Sequence, residues 1–295
     1  MNTLSFKGVI TALITPFKNE KPDFASLQKI LEKQIEAKTD AIVLFGTTGE
    51  GASLSLAEKK SIFLLTKRIL NNKTPIITCI STSITHIAVN IAKQFESWGS
   101  DANMVISPYY YKCTEEGIIK HFELISNSTN LPIIPYNVPA RTNCDIFNYP
   151  NVINYFNQNK KVVAIKEADN SLNNCLNLLN KLKMPLLCGN DELIYECLTA
   201  GYKGCISVIS NIFPSKIKEI TSLILQNKAS KAQEIFNNLI PVINILNTLP
   251  NPISVKYASS LIYNHSPILR LPLTEPEEKI KIEIKKTLQN FKESL

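Results

Sequence analysis

The chain has 295 residues, of which 44% are hydrophobic and 19% are charged. This composition is typical of a globular protein and excludes a disordered chain, and no apolar run reaches the roughly 18 residues that a membrane-spanning helix needs. The net charge of +7 comes from lysines spread among glutamates along the whole chain, which argues against a nucleic-acid partner.

Seven cysteines and three histidines limit the disulfide and metal chemistry open to the chain. The number of cysteines is odd and no two are spaced as C-x-x-C, so we expect reduced thiols and a cytoplasmic location. Segment 1–7 has no basic region followed by a long apolar run, and we expect no secretory signal. Because the histidines do not cluster with the cysteines, we expect no metal site.

Eight β-rich segments alternate with longer amphipathic segments over the first two thirds of the chain. They predict strands over 8–15, 41–46, 75–80, 102–107, 131–137, 161–166, 185–189 and 203–209. This alternation favours an α/β fold, and eight strands favour a closed (β/α)8 TIM barrel over an open doubly wound sheet. Among the predicted helices, 55–70 begins with Ser55 as N-cap and Glu58 in a capping box, and 85–98 follows the third strand.

Helical periodicity replaces the strands in the last part of the chain. It predicts helices over 217–226, 229–246, 253–263 and 276–291. Pro241, Pro250 and Pro252 are expected to break this region into pieces. We therefore predict a barrel with the active site over 1–213 and a C-terminal helical extension over 214–295. The sequence leaves open whether the extension packs on the barrel or on a neighbouring subunit.

Lys166 ends the sixth predicted strand. Period-2 alternation puts its side chain on the same face as Val162 and Ala164. If that face points into the barrel, burial disfavours the charged amine, lowers its pKa and leaves a nucleophile that can form a Schiff base with a carbonyl compound. A lone strand-end lysine more often extends to solvent, so this interpretation depends on the neighbouring loops.

The segment 46–51 after the second strand contains three of the nine glycines. Active sites of such barrels form at this end of the strands. Backbone N–H groups and the hydroxyls of Thr47 and Thr48 suit a small carboxylate, whereas the Lys-Ser/Thr pair of a triphosphate loop is missing. The alternative is a tight βα turn without a ligand.

Three more side chains occupy the same predicted end of the barrel. Tyr110 follows the fourth strand and Tyr136 lies at the end of the fifth, where phenol groups can transfer protons or simply pack. Arg141 is one of only three arginines, and its guanidinium suits bidentate binding of a carboxylate.

Short motifs recur along the whole chain: G-T-T-G-E at 46–50, S-P-Y-Y at 107–110, Y-N-V-P-A-R-T at 136–142, I-K-E-A at 165–168, the stretch 201–207 and N-P-I-S-V-K at 251–256. In this order they resemble the dihydrodipicolinate synthase / N-acetylneuraminate lyase family of pyruvate-dependent class I aldolases. The resemblance implies a TIM barrel whose reaction requires no metal or organic cofactor.

The resemblance also implies the catalytic roles. Lys166 forms the Schiff base with pyruvate, and Thr47 and Thr48 bind the pyruvate carboxylate. Tyr136, Thr47 and Tyr110 form a proton relay, with Tyr110 reaching into the neighbouring subunit of a tight dimer. Two such dimers are expected to assemble into a homotetramer.

Arg141 separates the branches of the family. The arginine in N-V-P-A-R-T resembles the synthases that condense pyruvate with L-aspartate 4-semialdehyde in lysine and diaminopimelate biosynthesis, where it binds the semialdehyde carboxylate. Gly189 and Ile206 complete the expected substrate site. The alternatives are an N-acetylneuraminate or keto-deoxy sugar acid aldolase with the same imine at Lys166 and, more remotely, a non-catalytic pyruvate or sugar-acid sensor.

Two departures from the family pattern affect the expected site. Pro135 lies inside a predicted central strand, where it removes a hydrogen-bond donor, so we expect a bulge that alters the aim of Tyr136. Asn143 stands where the family usually has glycine.

Overall fold

The computed structural model describes residues 6–293, in which eight parallel strands close into a barrel. The strands in chain order are β1 (Gly8–Ala12), β2 (Phe17–Lys18), β3 (Lys21–Pro22), β4 (Ala41–Leu44), β5 (Ile76–Ile80), β6 (Ala102–Ile106), β7 (Ile133–Asn137), β8 (Ile165–Glu167), β9 (Leu186–Cys188) and β10 (Gly204–Ser207). All of them except β2 and β3 belong to the barrel. β1 pairs with both β4 and β10 and so closes the barrel. The predicted TIM barrel is confirmed. The short antiparallel hairpin of β2 and β3 was not predicted.

Twelve α-helices surround the barrel within residues 6–293. They are α1 (Phe24–Glu36), α2 (Leu56–Leu70), α3 (Thr85–Trp98), α4 (Glu115–Asn127), α5 (Pro139–Thr142), α6 (Pro150–Gln158), α7 (Leu172–Leu178), α8 (Ile194–Ala200), α9 (Pro214–Leu225), α10 (Ala229–Asn247), α11 (Ile253–Tyr263) and α12 (Glu278–Glu293). The predicted capping box of Ser55 and Glu58 is present at the start of α2. None of the helices in this described part combines the length and apolar character needed to cross a bilayer.

The core has two layers because successive strand residues point to opposite sides. Ile10 and Val43 pack inside the barrel, whereas their neighbours Val9 and Ile42 pack between the strands and the helices. Both strand faces are buried, which explains why the strand segments are almost continuously apolar. All seven cysteines lie in the described residues, and each is a free thiol.

Pro135 changes the pairing of β7 with β8. Ile133 N donates to the carbonyl of Lys161, so alternate amides of β7 face this neighbour, and Pro135 has no N–H to offer at the next such position. Between the Ile133–Val162 bridge and the Tyr136–Lys166 pair, the β8 side contains one extra residue. The expected bulge is therefore present, opposite Pro135.

This bulge corrects one prediction. Val162 belongs to the outer layer of the core, whereas Ala164 faces the barrel interior, so Val162 does not share a face with Lys166. The extra residue interrupts the alternation and resets it before Lys166. The alternation from Ala164 to Lys166 is as predicted.

The C-terminal helices pack on the barrel of the same chain. α9 contacts β1, α10 contacts α8, and α11 contacts α1. Pro241 does not break the region, contrary to prediction, because α10 continues through it. The N–H that proline lacks would have bonded to the carbonyl of Asn237, and both residues are exposed, so water can satisfy that carbonyl. Pro250 and Pro252 lie between α10 and α11, as predicted.

Ile243→Ala is expected to destabilise the whole chain and not α10 alone. Ile243 is buried in the outer core layer that includes residues of both the barrel and the C-terminal helices. Removing this side chain should cost about 2–5 kcal/mol. Trp98, the single tryptophan, lies on α3 and packs against Phe95 with a ring separation of 5.3 Å, so its fluorescence reports barrel unfolding. Denaturant titration should show one shifted transition. An unchanged Trp98 midpoint beside a separate helical transition would contradict a common core.

Candidate active site

Lys166 lies on β8 with its side chain inside the mouth of the barrel. It is in register with Tyr136 of β7 and Leu187 of β9. Only 6% of its surface is exposed, and its Nζ lies 4.1 Å from the centroid of the Tyr136 ring. An amine at this position is held between strands and has little freedom to reach solvent.

The electrostatic environment favours the neutral amine of Lys166. Burial lowers its pKa to about 8, and the nearby Arg141 acts in the same direction. Cys79 and Asp191 oppose this effect by favouring the charged form. About one-tenth of Lys166 is therefore deprotonated at pH 7, far more than for an ordinary lysine, and the neutral amine is the form that attacks a carbonyl.

Gly189 makes room for the Lys166 side chain. A Cβ at position 189 would lie 2.8 Å from Lys166 Cε and 2.9 Å from the Cβ of Ala168. These distances are shorter than carbon atoms tolerate without movement. The absence of a side chain at Gly189 therefore leaves space for Lys166, and the predicted substrate-binding role of Gly189 stays a prediction.

Tyr136 and Thr47 are joined in the same mouth. Burial raises the pKa of the Tyr136 phenol, while the hydrogen bond with Thr47 and the charge of Arg141 oppose that increase. The phenol therefore stays protonated at neutral pH and can donate a proton. A phenol beside a hydroxyl side chain can exchange a proton with it, and the relay of Tyr136 and Thr47 stays a prediction.

A cavity of about 450 Å³ opens above this group. Thr47, Tyr136 and Arg141 line it, as do residues of the loop 46–53. Lys166 does not line the cavity itself, but its Nζ lies against the ring of Tyr136, which does. The cavity is also lined by residues that were not proposed as site residues from the sequence: Ser81, Ile106, Tyr109, Asn251, Pro252, Arg270, Leu271, Pro272 and Leu273.

Asn251 links two of the predicted substrate-binding residues. Its Nδ2 donates to Thr48 Oγ1 at 3.0 Å, and its carbonyl accepts from an Arg141 amino group at 3.1 Å. Thr48 is buried and does not line the cavity, so its hydroxyl serves this contact. Asn251 begins the N-P-I-S-V-K motif, which was the sequence signal that could have identified it.

Arg141 lies on the short helix α5, at the cavity entrance. Asn143 ends this helix in the left-handed conformation, with φ of 51°, and its N–H donates to the Pro139 carbonyl at 2.8 Å. Asparagine adopts this conformation more readily than other residues with a side chain, so it replaces the family's usual glycine without losing the turn.

Tyr110 points away from the cavity of its own chain. It is 87% exposed, has a positive φ of 74°, and its ring contacts only the edge of Tyr111 among the aromatic rings of the described residues. Its neighbour Tyr109 lines the cavity and donates to the Ser81 carbonyl at 3.2 Å. The role expected for Tyr110, in the site of a neighbouring subunit, stays a prediction.

Ile206 is fully buried inside the barrel, in register with Ile10. It does not line the cavity. Its substrate-binding role stays a prediction.

Comparison with known proteins places this site in a family. The model of the dihydrodipicolinate synthetase family matches residues 5–291. The chain belongs to this family. A 4-hydroxy-tetrahydrodipicolinate synthase of Rickettsia bellii is 39% identical over 294 residues, which cover 99% of each chain.

Solved structures of the family have the same fold. The dihydrodipicolinate synthase of Thermotoga maritima superposes with a TM-score of 0.94 at 32% identity and covers 98% of this chain and 99% of its own. That of Acinetobacter baumannii, solved in complex with pyruvate, gives 0.93 at 32% identity, with 97% and 99% covered. The comparisons confirm the predicted activity, 4-hydroxy-tetrahydrodipicolinate synthesis by a lyase of lysine biosynthesis.

Gly189→Ala should impair this family's reaction more than it impairs folding. The added methyl group displaces Lys166 Cε, and misplacing a reacting group by about 1 Å can cost on the order of a hundredfold in rate. Synthase turnover and thermal melting should be measured together. The control is Gly117→Ala on the exposed surface of α4, whose nearest neighbour is the Thr114 hydroxyl. Equal activity of the two variants would show that position 189 tolerates a side chain.

Proposed function

We propose that this cavity condenses pyruvate with L-aspartate 4-semialdehyde, with Lys166 as the Schiff-base amine. The observation that supports this most strongly is the buried Lys166 amine, whose pKa is lowered to about 8 and whose Nζ lies against the ring of Tyr136, a residue that lines the cavity. The relative of known structure from Acinetobacter baumannii binds pyruvate within the same fold.

The proposed reaction begins with attack of neutral Lys166 Nζ on the C2 carbonyl of pyruvate. Water leaves and an imine forms. Loss of a proton from C3 gives an enamine, whose C3 then forms a bond to the aldehyde carbon of the semialdehyde, and the aldehyde oxygen takes up a proton. The amino group of the added substrate attacks C2 and displaces Lys166, which closes the ring and regenerates the free amine.

Tyr136, Thr47 and Tyr110 carry the protons in this proposal. Thr47 and Tyr136 line the same cavity, and the Thr47 side chain opposes the rise in the pKa of the Tyr136 phenol. The exposed Tyr110 supports a contribution from a partner subunit, since its ring cannot reach the cavity of its own chain while pointing outward. We therefore infer that the chain forms a tight dimer. We also propose that two dimers form a tetramer and that the enzyme is located in the cytoplasm.

Thr47, Thr48 and Arg141 divide the two carboxylates between them. The loop 46–51, from which Thr47 lines the cavity and in which Thr48 is the next residue, binds the pyruvate carboxylate in this proposal. Arg141 lies at the entrance and binds the semialdehyde carboxylate, which is consistent with its exposure and its position on the cavity wall. Gly189 leaves space for Lys166, and Ile206 supports the interior from below.

The function is tested by a coupled assay that compares two reactions. Pyruvate with L-aspartate 4-semialdehyde should give steady ring formation, whereas N-acetylneuraminate should give no pyruvate above background. Cleavage of N-acetylneuraminate as the faster reaction would support the sugar acid aldolase alternative. Pyruvate binding with no turnover of either substrate would support the sensor.

The pH dependence of imine formation should follow the Lys166 amine. Since the neutral form attacks, about one-tenth of the enzyme is reactive at pH 7 if the pKa is about 8. The kcat/KM for pyruvate should rise roughly tenfold per pH unit below this pKa and level off above it. A profile that is flat between pH 6 and 9 would contradict a lysine nucleophile with this pKa.

Arg141→Lys should impair use of the semialdehyde far more than use of pyruvate. Lysine keeps the positive charge but loses the planar guanidinium that binds both carboxylate oxygens. Efficiency toward the semialdehyde should fall about tenfold to a thousandfold, equivalent to about 1.5–4 kcal/mol. Equal losses for both substrates in steady-state kinetics would assign Arg141 to the fold or to the subunit interface.

Mixed dimers test whether Tyr110 acts across a subunit boundary. Tyr110→Phe and Lys166→Ala homodimers should both be strongly impaired. A hybrid of the two contains one site with an intact Lys166 and the partner's intact Tyr110, so mixing should restore part of the activity. Hybrids can be purified with two different affinity tags. Purified hybrids without recovered activity would place Tyr110 in the site of its own subunit.

A further inference from the structure

Glu50 and Lys256 form an ion pair at the edge of the cavity that the proposed mechanism does not use. Glu50 closes the G-T-T-G-E motif, and Lys256 closes the N-P-I-S-V-K motif on α11. Their side chains are 1% and 0% exposed, and Lys256 Nζ donates to Glu50 Oε1. The contact joins residues 206 positions apart in sequence.

Both carboxylate oxygens of Glu50 accept a hydrogen bond. Glu50 Oε2 accepts from the backbone N–H of Arg270 at 3.0 Å. The ring of Phe17 lies 4.0 Å from Lys256 Nζ and 4.6 Å from the guanidinium carbon of Arg270. Arg270 also donates to the carbonyl of Ser53 at 2.8 Å. The loop after β4 is therefore bound to two separate parts of the C-terminal region.

Stability alone is a weak reason for a fully buried ion pair. Removing two charges from water costs several kcal/mol each, and apolar side chains of similar size often give equal or greater stability. Burial lowers the pKa of Lys256 to about 8, with Glu50 opposing the decrease, which shows the cost of keeping this amine charged. The position of the pair offers a different reason.

Glu50 belongs to the segment 46–51, here called the threonine loop, and its backbone is bonded to that of Thr47. Its N–H donates to the Thr47 carbonyl at 3.0 Å, and the N–H of Gly51 donates to the Gly46 carbonyl at 3.1 Å. Glu50 itself has a left-handed backbone, with φ of 49°. A shift of its carboxylate would move the peptide that carries Thr47, whose side chain opposes the rise in the pKa of the Tyr136 phenol and lines the cavity with it.

We propose that Glu50 and Lys256 are positioning residues that hold the threonine loop in the geometry needed to bind pyruvate and to pass protons to Tyr136. The C-terminal region thereby becomes part of the active site through α11. This inference rests on the proposed function, because it assigns the threonine loop to the pyruvate end of the cavity.

The test separates positioning from stability with three variants. E50M/K256M replaces the pair with apolar side chains and leaves no unpaired charge. E50D keeps both charges but shortens the reach of the carboxylate by one methylene. K218M is the control, because Lys218 pairs with Asp40 just before β4, at the opposite end of the barrel.

Melting temperature and the KM of each substrate should be measured for all three. We expect E50M/K256M and E50D to raise the KM of pyruvate at least tenfold and to lower kcat, while the KM of the semialdehyde stays within about twofold. K218M should lower the melting temperature and leave both KM values unchanged. If E50M/K256M does not fold, E50D alone decides the outcome.

Wild-type pyruvate KM and kcat in a folded E50D or E50M/K256M would overturn the proposal, as would equal KM increases for both substrates. Failure of the proposed function looks different, because the wild-type enzyme would then show no turnover of pyruvate with the semialdehyde in the same assay.

Discussion

An amine inside an apolar barrel is the constraint on which the rest of the site depends. Lys166 is 6% exposed among inward-facing residues of the strands, where water is scarce and a charged group is disfavoured. The surroundings adapt to it: Gly189 leaves space at Cε, the Tyr136 ring covers Nζ, and Arg141 adds positive charge. The fold thus gives an ordinary lysine the lowered pKa that the proposed nucleophile needs.

The C-terminal helices complete the cavity that the barrel begins. Asn251 and Pro252 precede α11, and Arg270 to Leu273 follow it, and both segments line the cavity. Asn251 contacts both Thr48 and Arg141, so one residue supports both of the predicted carboxylate-binding sites. The barrel and the C-terminal extension are therefore separate in chain order, but residues of both parts line the cavity.

Local patterns explain why much of the fold was predictable. Apolar strand segments, the Ser55 capping box and the eightfold alternation depend on neighbouring residues, and all appear in the structure. Val162 was assigned to the wrong face because the bulge opposite Pro135 depends on a neighbouring strand. Pro241 was assigned a helix break, yet its exposed position in α10 makes the lost hydrogen bond tolerable.

The candidate site was predictable only in part, for the same reason. Lys166, Tyr136, Thr47 and Arg141 lie at strand ends, where barrel geometry brings side chains together. Leu271 to Leu273 reach the cavity by a long-range return of the chain, and nothing in their local sequence indicates it. Arg270 was visible as a rare arginine, but its partners Glu58 and Ser53 lie more than 200 positions away.

Covalent trapping with pyruvate is the most direct test of the Schiff-base assignment. Among the described residues, two buried lysines have a pKa lowered to about 8, Lys166 and Lys256, so a lowered pKa alone does not identify the nucleophile. Lys256 is paired with Glu50, whereas Lys166 lies against the ring of Tyr136, which lines the cavity. Borohydride reduction with pyruvate, followed by peptide mass spectrometry, should place the reduced pyruvyl group on the peptide containing Lys166. The same mass on Lys256 or another lysine, or on none, would contradict the account.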